Sequence, residues 1–305
     1  MGPASLRALL AHSIDYAGLF PPANLAVEPA LQNHSQYVRV PESWMLGAFI
    51  LPIAEFDTAA RHLSGFDSEY PLRISALGPR TDNAEAFLKS LSATIDAIAA
   101  FQARFETASI EQLEMPLPGE INAELLKAIR QRLGHSDLKT FWEAKADAVE
   151  RVTKLLSENN ADSAGRKLGF KLRTGGVTAE AFPSSSQIAM ALMAAGTRGV
   201  PIKFTAGLHH PVRIFHDSVQ TKMHGFLNVL GAGVLALEHD WRQREVIQML
   251  DDEDAASLSF TEDFFAWRDW RISTEAIGAR RELVTSFGSC SFDEPRDDLR
   301  ALKLL

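Results

Sequence analysis

The sequence predicts a (β/α)8 TIM-type barrel, and three observations carry that reading. Short segments of alternating apolar and polar residues near positions 45, 72, 110, 139, 168 and 202 are separated by helical patterns. Repeated strand–helix units imply a parallel sheet with right-handed crossovers. Six such units leave enough chain for two more, which fits a closed barrel. No GxGxxG follows the first strand, so the dinucleotide-binding open sheet lacks its mark. With 305 residues the chain can bury one barrel-sized core. The expected organisation is a single domain, with residues 1–43 as an N-terminal helical extension and 44–305 as the barrel.

Each element has a local reason. Leu6, Leu9, Leu10 and Ile14 have helical spacing, which runs into Asp15-Tyr-Ala-Gly-Leu-Phe-Pro-Pro22, where two prolines end any helix. Asp15, Tyr16 and Phe20 of that loop are read as capping one barrel end. A second helix covers 27–39. A strand at 44–51 is closed by Pro52 and followed by a helix at 54–63. Residues 72–77 form a strand stopped by Gly78-Pro79, and a long helix crosses 82–106. A strand at 109–115 ends in Pro116-Leu-Pro118, with a helix over 120–133. A strand at 138–144 and a helix at 146–157 follow. The strands near 168–173 and 202–206 flank a helix that Ser184 to Ser186 could cap. Farther on, Phe226–Gly231 could be a strand, but Gly225–Glu238 could equally be one buried helix, because periodicity does not separate short apolar runs. Residues 260–271, rich in aromatics (Phe264, Phe265, Trp267, Trp270), read as a helix. Residues 274–284 read as a further helix and 285–292 as the closing strand.

Composition narrows the function classes. The net charge of −8, without a basic, aromatic-laced cluster, argues against a nucleic-acid partner. No apolar run reaches the roughly 18 residues of a membrane span, and no secretion signal is read at the N-terminus, so a cytoplasmic protein is expected. A single cysteine, Cys290, excludes an internal disulfide. Homo-oligomerisation is left open.

The strands that carry charge point to the site. In a parallel sheet buried on both faces, strands read as nearly all apolar. Here Lys171 and Arg173 alternate with Phe170 and Leu172, and Lys203 and Thr205 alternate with Ile202 and Phe204. Period-two alternation turns these polar residues to the barrel interior, where charge is costly unless it meets partners. The same parity sends Glu114 and Glu143 inward. Lys203, Lys171, Glu114 and Glu143 are therefore the candidate catalytic residues. Arg173, Thr205, Gly175, Gly176, His209, His210, Ser289 and Ser291, at the strand ends and in the loops after them, are the candidate substrate contacts, since barrel sites lie at the C-terminal ends of strands. Gly175-Gly176 could offer backbone N–H groups to an anion.

The stretches Phe182-Pro-Ser184, Lys203-Phe-Thr-Ala-Gly-Leu-His-His-Pro211 and Ser289-Cys-Ser-Phe-Asp-Glu-Pro295 resemble a bacterial protein family that implies no activity. The two strand lysines are loosely similar to those of aldolase-type barrels, which implies a Schiff-base lysine. Walker A, HxH, HExxH and GxSxG patterns are missing.

The first functional reading is a lyase of aldolase type acting on a small carboxylate or phosphate, with no cofactor required. Lys203 would be the nucleophile, its pKa lowered by Lys171 and Arg173, and Glu114 or Glu143 would move protons. The alternative is a metal-dependent hydrolase or lyase holding a divalent ion with Glu114, Glu143 and His209 or His210. A third reading is a barrel that binds an anionic metabolite without turnover. Cys290 as a nucleophile is weighed against its bland role as a small buried residue.

Overall fold

The computed structural model describes residues 2–134, 136–163 and 165–305. Eight parallel strands close into a barrel: β1 (Ile14–Tyr16), β2 (Leu46–Pro52), β3 (Leu72–Leu77), β4 (Ala108–Pro116), β5 (Lys139–Ala144), β6 (Leu168–Arg173), β7 (Ile202–Thr205) and, after an excursion, β13 (Val284–Ser289). The (β/α)8 expectation holds. The start of the barrel does not lie where the sequence put it. Residues 1–43 do carry the helices α1 (Ala4–Leu10) and α2 (Val27–Tyr37), but between them Ile14–Tyr16 pairs with both β2 and β13. Three residues are too few for alternation to show, which is why this strand read as loop.

The helices α3 (Phe56–Ala59), α4 (Ala84–Gln102), α5 (Ala123–Leu133), α6 (Val149–Ala161) and α7 (Ser185–Thr197) cover the barrel in chain order. Ser184 caps α7 in a reciprocal box, accepting from the Gln187 N–H while the Gln187 side chain reaches back to the Ser184 backbone. Asn83 and Asn122 cap α4 and α5 in the simpler way.

Between β7 and β13 the chain departs from strand–helix repetition. A two-stranded hairpin, β8 (Ile214–His216) with β9 (Thr221–Met223), stands in the loop after β7. The ambiguous run is the helix α8 (Phe226–His239), buried along its first ten residues. A helix apolar all round belongs inside the protein, and here Gly231 abuts Met249 and Phe265 while Gly233 abuts Val284. The helix α9 (Gln243–Leu250) follows. The aromatic segment is not the expected helix. It forms an antiparallel sheet of β10 (Leu258–Phe260), β11 (Phe264–Trp267) and β12 (Trp270–Ser273). Arg268, at φ +53°, makes the tight turn between the last two. Aromatic residues favour a pleated surface, and Phe265, Trp267 and Ile272 are buried. The helices α10 (Thr274–Arg280) and α11 (Asp293–Ala301) flank β13. Among the described residues no helix is long and apolar enough to cross a membrane.

Candidate active site

The polar interior of the barrel is a connected ion network. Lys171 faces Glu143 across one strand pair and Lys203 across the next. Lys171 Nζ lies 2.7 Å from Glu114 Oε2 and 3.0 Å from Glu143 Oε2. Lys203 Nζ bonds Asp15 Oδ2 at 2.6 Å, Gln112 Oε1 at 2.8 Å, and the other oxygen of Glu114. Glu114 therefore bridges two ammonium groups. Ser75 donates to Glu114 at 2.5 Å, and Ser286 donates to Asp15 at 2.7 Å. Lys203, Asp15 and Glu114 are wholly buried. The face of Phe141 lies 5.5 Å from the Lys203 ammonium and adds a cation–π contact.

The expected parity is correct: Lys171, Lys203, Glu114 and Glu143 converge, with Phe170, Leu172, Ile202 and Phe204 in the core outside the barrel. The expected protonation state of Lys203 is not. Burial alone would lower its pKa, but Asp15 and Glu114 outweigh burial and raise it. Like charge from Lys171 does not prevail because Glu114 stands between the two amines. Lys203 is thus a charged amine, without a free lone pair or an open approach, and the Schiff-base assignment fails on this geometry. Glu114 shows the reciprocal effect. Burial would raise its pKa, yet Lys171 and Lys203 hold it at about 2. Glu143 is likewise below its usual range, burial being outweighed by Lys171 and Arg173.

Asp15 is the residue that sequence reasoning placed in a capping loop. It lies in the barrel interior, where its Oδ1 accepts from the Ala48 N–H at 2.6 Å. Gly47 makes this approach feasible, since a Cβ there would sit 2.2 Å from Asp15 Oδ1. Gln112, Ser75 and Ser286 were also missed. Gln112 shares the parity of Glu114, two residues on, and that signal could have found it.

Toward the C-terminal ends of the strands the network opens. Arg173 Nε and an Arg80 guanidinium nitrogen both stand 3.7 Å from Glu143 Oε1. Their side chains are 53% and 70% exposed, whereas that of Glu143 is 9% exposed, so the two cations lie at the mouth and the carboxylate beneath them. No family model matches the chain and no curated protein matches it. The functional reading therefore rests on the site itself.

The remaining predicted contacts have other surroundings. His209 Nδ1 lies 3.3 Å from Glu294 Oε2 and 3.7 Å from Cys290 Sγ. Burial opposes its charge, but Cys290 and Glu294 raise its pKa to about 9. One ring nitrogen facing both groups is not the relay of a nucleophile, base and orienting acid, in which the base uses both nitrogens. His210 Nδ1 pairs with Asp298 at 2.7 Å. The histidines thus sit with Glu294 and Asp298, whereas Glu114 and Glu143 are engaged by lysines. Among the described residues no three His, Cys, Asp or Glu side chains form a group that could hold a metal. Ser291 accepts from the Glu294 N–H at the start of α11. Ser289 faces away from the barrel axis, since Gly288 beside it faces Ile50 and Thr205; its hydroxyl is buried without a partner among the described residues. The Thr205 carbonyl accepts from the Thr174 N–H and hydroxyl. Gly175 is explained by packing: a Cβ there would lie 2.7 Å from Gly207 Cα, and Gly207 itself has φ +78°.

Proposed function

We propose that the chain is a barrel enzyme acting on a small anionic substrate at the C-terminal mouth. Arg80 and Arg173 would hold the carboxylate or phosphate, and Glu143 with Lys171 would move the proton, in chemistry of the lyase type. The observation that carries this reading is the pair of exposed guanidiniums held loosely over one buried, ionised carboxylate. Arg offers planar, two-pronged recognition of such anions. A distance of 3.7 Å leaves their hydrogen-bonding capacity unspent. Glu143 is the base because, among the described residues, it is the one interior carboxylate adjoining the mouth cations. Lys171, 3.0 Å away, would return the proton. Asp15, Lys203 and Glu114 would form the fixed electrostatic floor that positions Lys171.

The test combines binding with turnover. A panel of small phosphates and keto, hydroxy and dicarboxylic acids is screened by thermal shift and then by product analysis. The expected result is an anion whose stabilisation disappears in Arg80→Ala/Arg173→Ala, and whose turnover disappears in Glu143→Gln while binding persists. Binding without turnover across the panel would replace the enzyme with an anionic-metabolite-binding barrel. Stabilisation that survives the double arginine variant would refute the mouth site altogether.

A further inference from the structure

The opposite, N-terminal end of the barrel holds a cavity of about 620 Å³. Its wall is assembled where strands begin: Lys139 on β5, Arg166 and Lys167 before β6, Thr285 and Ser286 on β13, and Arg281 just after α10. Four of its lining residues are Lys or Arg, and one, Glu282, is an acid. In a chain with a net charge of −8 this is a local reversal of sign, and a concave, low-dielectric wall concentrates such a field.

Arg281 gives the cavity a fixed charge. Its guanidinium donates to the carbonyls of Val284, Thr285 and Ala11, and among the described residues it makes no ion pair, the Asp15 carboxylate acting on it only from farther off. Its Nε is buried without a hydrogen-bond partner among the described residues. Backbone carbonyls orient the group but do not neutralise it. Near the rim, Lys139 and Lys167 are exposed and, among the described residues, have no ion-pair partner, Lys167 donating to the Gly199 carbonyl at 3.2 Å and Arg166 pairing with Asp137 at 3.9 Å. Inward, the cavity meets Phe141, Gln112 and Ser286. Gln112 accepts from Lys203 and Ser286 donates to Asp15, so a molecule seated here is one hydrogen bond from the barrel's central ion pair.

We infer that this N-terminal cavity is a second binding site, for a small organic polyanion bearing phosphates or several carboxylates. It is separate from the mouth site in residues and in position, and does not depend on the reading given for that mouth. A multiply charged ligand is favoured over a single carboxylate because the cations stand both at the rim and at the wall. Through Gln112 and Ser286 its occupancy would bear on the Asp15–Lys203 pair, which suits a regulatory ligand.

Isothermal titration of the full chain with pyrophosphate and with citrate tests the site. The variant is Lys139→Glu/Lys167→Glu, two exposed side chains whose reversal leaves the core intact, and the control is Arg173→Ala at the other mouth. The expected result is binding of at least one probe, weakened about tenfold or more by the double reversal, equivalent to about 1.4 kcal/mol, and unchanged in Arg173→Ala. Preference for pyrophosphate would identify a phosphate ligand, and preference for citrate a polycarboxylate; either supports the site. Failure of both probes to bind at millimolar concentration would overturn the inference. So would an affinity indifferent to the double reversal. Binding lost in Arg173→Ala but kept in the double variant would move the anion to the C-terminal mouth.

Discussion

Replacing Lys203 with Met removes the cation that Asp15 and Glu114 share, and the structure fixes what that should cost. Methionine approximates the volume of the lysine stem, so the loss is chiefly electrostatic. Three acceptors lose the ammonium as a donor: Asp15 Oδ2, Glu114 Oε1 and Gln112 Oε1. Ser286 and the Ala48 N–H still serve Asp15, and Lys171 and Ser75 still serve Glu114. The least costly response is for one carboxylate to take up a proton. For a carboxyl of ordinary pKa near 4.5, protonation at pH 7 costs roughly 3.4 kcal/mol, at about 1.4 kcal/mol per pH unit. The orphaned Gln112 acceptor adds about 1 kcal/mol or more. The expected destabilisation is thus about 3–5 kcal/mol, the range found when one partner of a buried ion pair is removed. The sign of its pH dependence follows. Because the variant's folded state has bound a proton that the unfolded chain lacks at pH 7, the penalty shrinks by about 1.4 kcal/mol per unit as pH falls toward 5. Urea denaturation followed by tryptophan fluorescence, with Trp142 buried on β5, measures both quantities. The second variant, Glu114→Gln/Lys203→Met, removes the surplus charge and should recover about half the loss. A penalty under about 1 kcal/mol at pH 7, or one that does not respond to pH, would refute the account of the interior as an ionised network.

Two further outcomes follow from other parts of the structure. His209, raised to about 9, contributes stability that is fully present below its ordinary value of 6.5 and is lost as pH rises through 9; Glu294→Gln should flatten that alkaline loss in a series of melting curves. Gly47→Ala should destabilise by about 1–3 kcal/mol, as overpacking does, because its Cβ would press on Asp15 Oδ1; an unchanged melting temperature would mean that the Asp15–Ala48 contact is not held in solution.

The legible part of this chain was the part in which side-chain period and burial act on the same residues. The strands β3 to β7 each have at least four residues, enough for alternation to reveal an inward face, and parity alone brought Lys171, Lys203, Glu114 and Glu143 together. The first strand has three, and its Asp15 follows a helix and precedes two prolines, so local pattern offered a loop. The aromatic run at 260–271 failed for a different reason. Its rings satisfy either period, and the deciding feature is a turn at Arg268 in a left-handed conformation that its residue type does not announce. Protonation states were the least legible. Two lysines facing each other on adjacent strands imply a neutral amine only when no anion lies between them, and the position of Glu114 between them is a tertiary fact.

That same position bears on why the cluster exists. Hydrocarbon side chains fill the interior of such barrels, and buried ion networks give little net stability over them because desolvation consumes the attraction. Stability alone is therefore a weak reason to hold Asp15, Glu114, Glu143, Lys171 and Lys203 in the axis. The pairing is also uneven along that axis. The deep members are saturated: Lys203 has three acceptors, and Glu114 has two ammonium groups and a hydroxyl. The outer member, Glu143, has one close ammonium partner and two guanidiniums standing off at 3.7 Å. A structural network would be completed most carefully at its ends, where water competes. This one is completed at its centre and left loose at the mouth, which is the arrangement expected where a rigid floor holds the working groups and an incoming anion supplies the missing contacts.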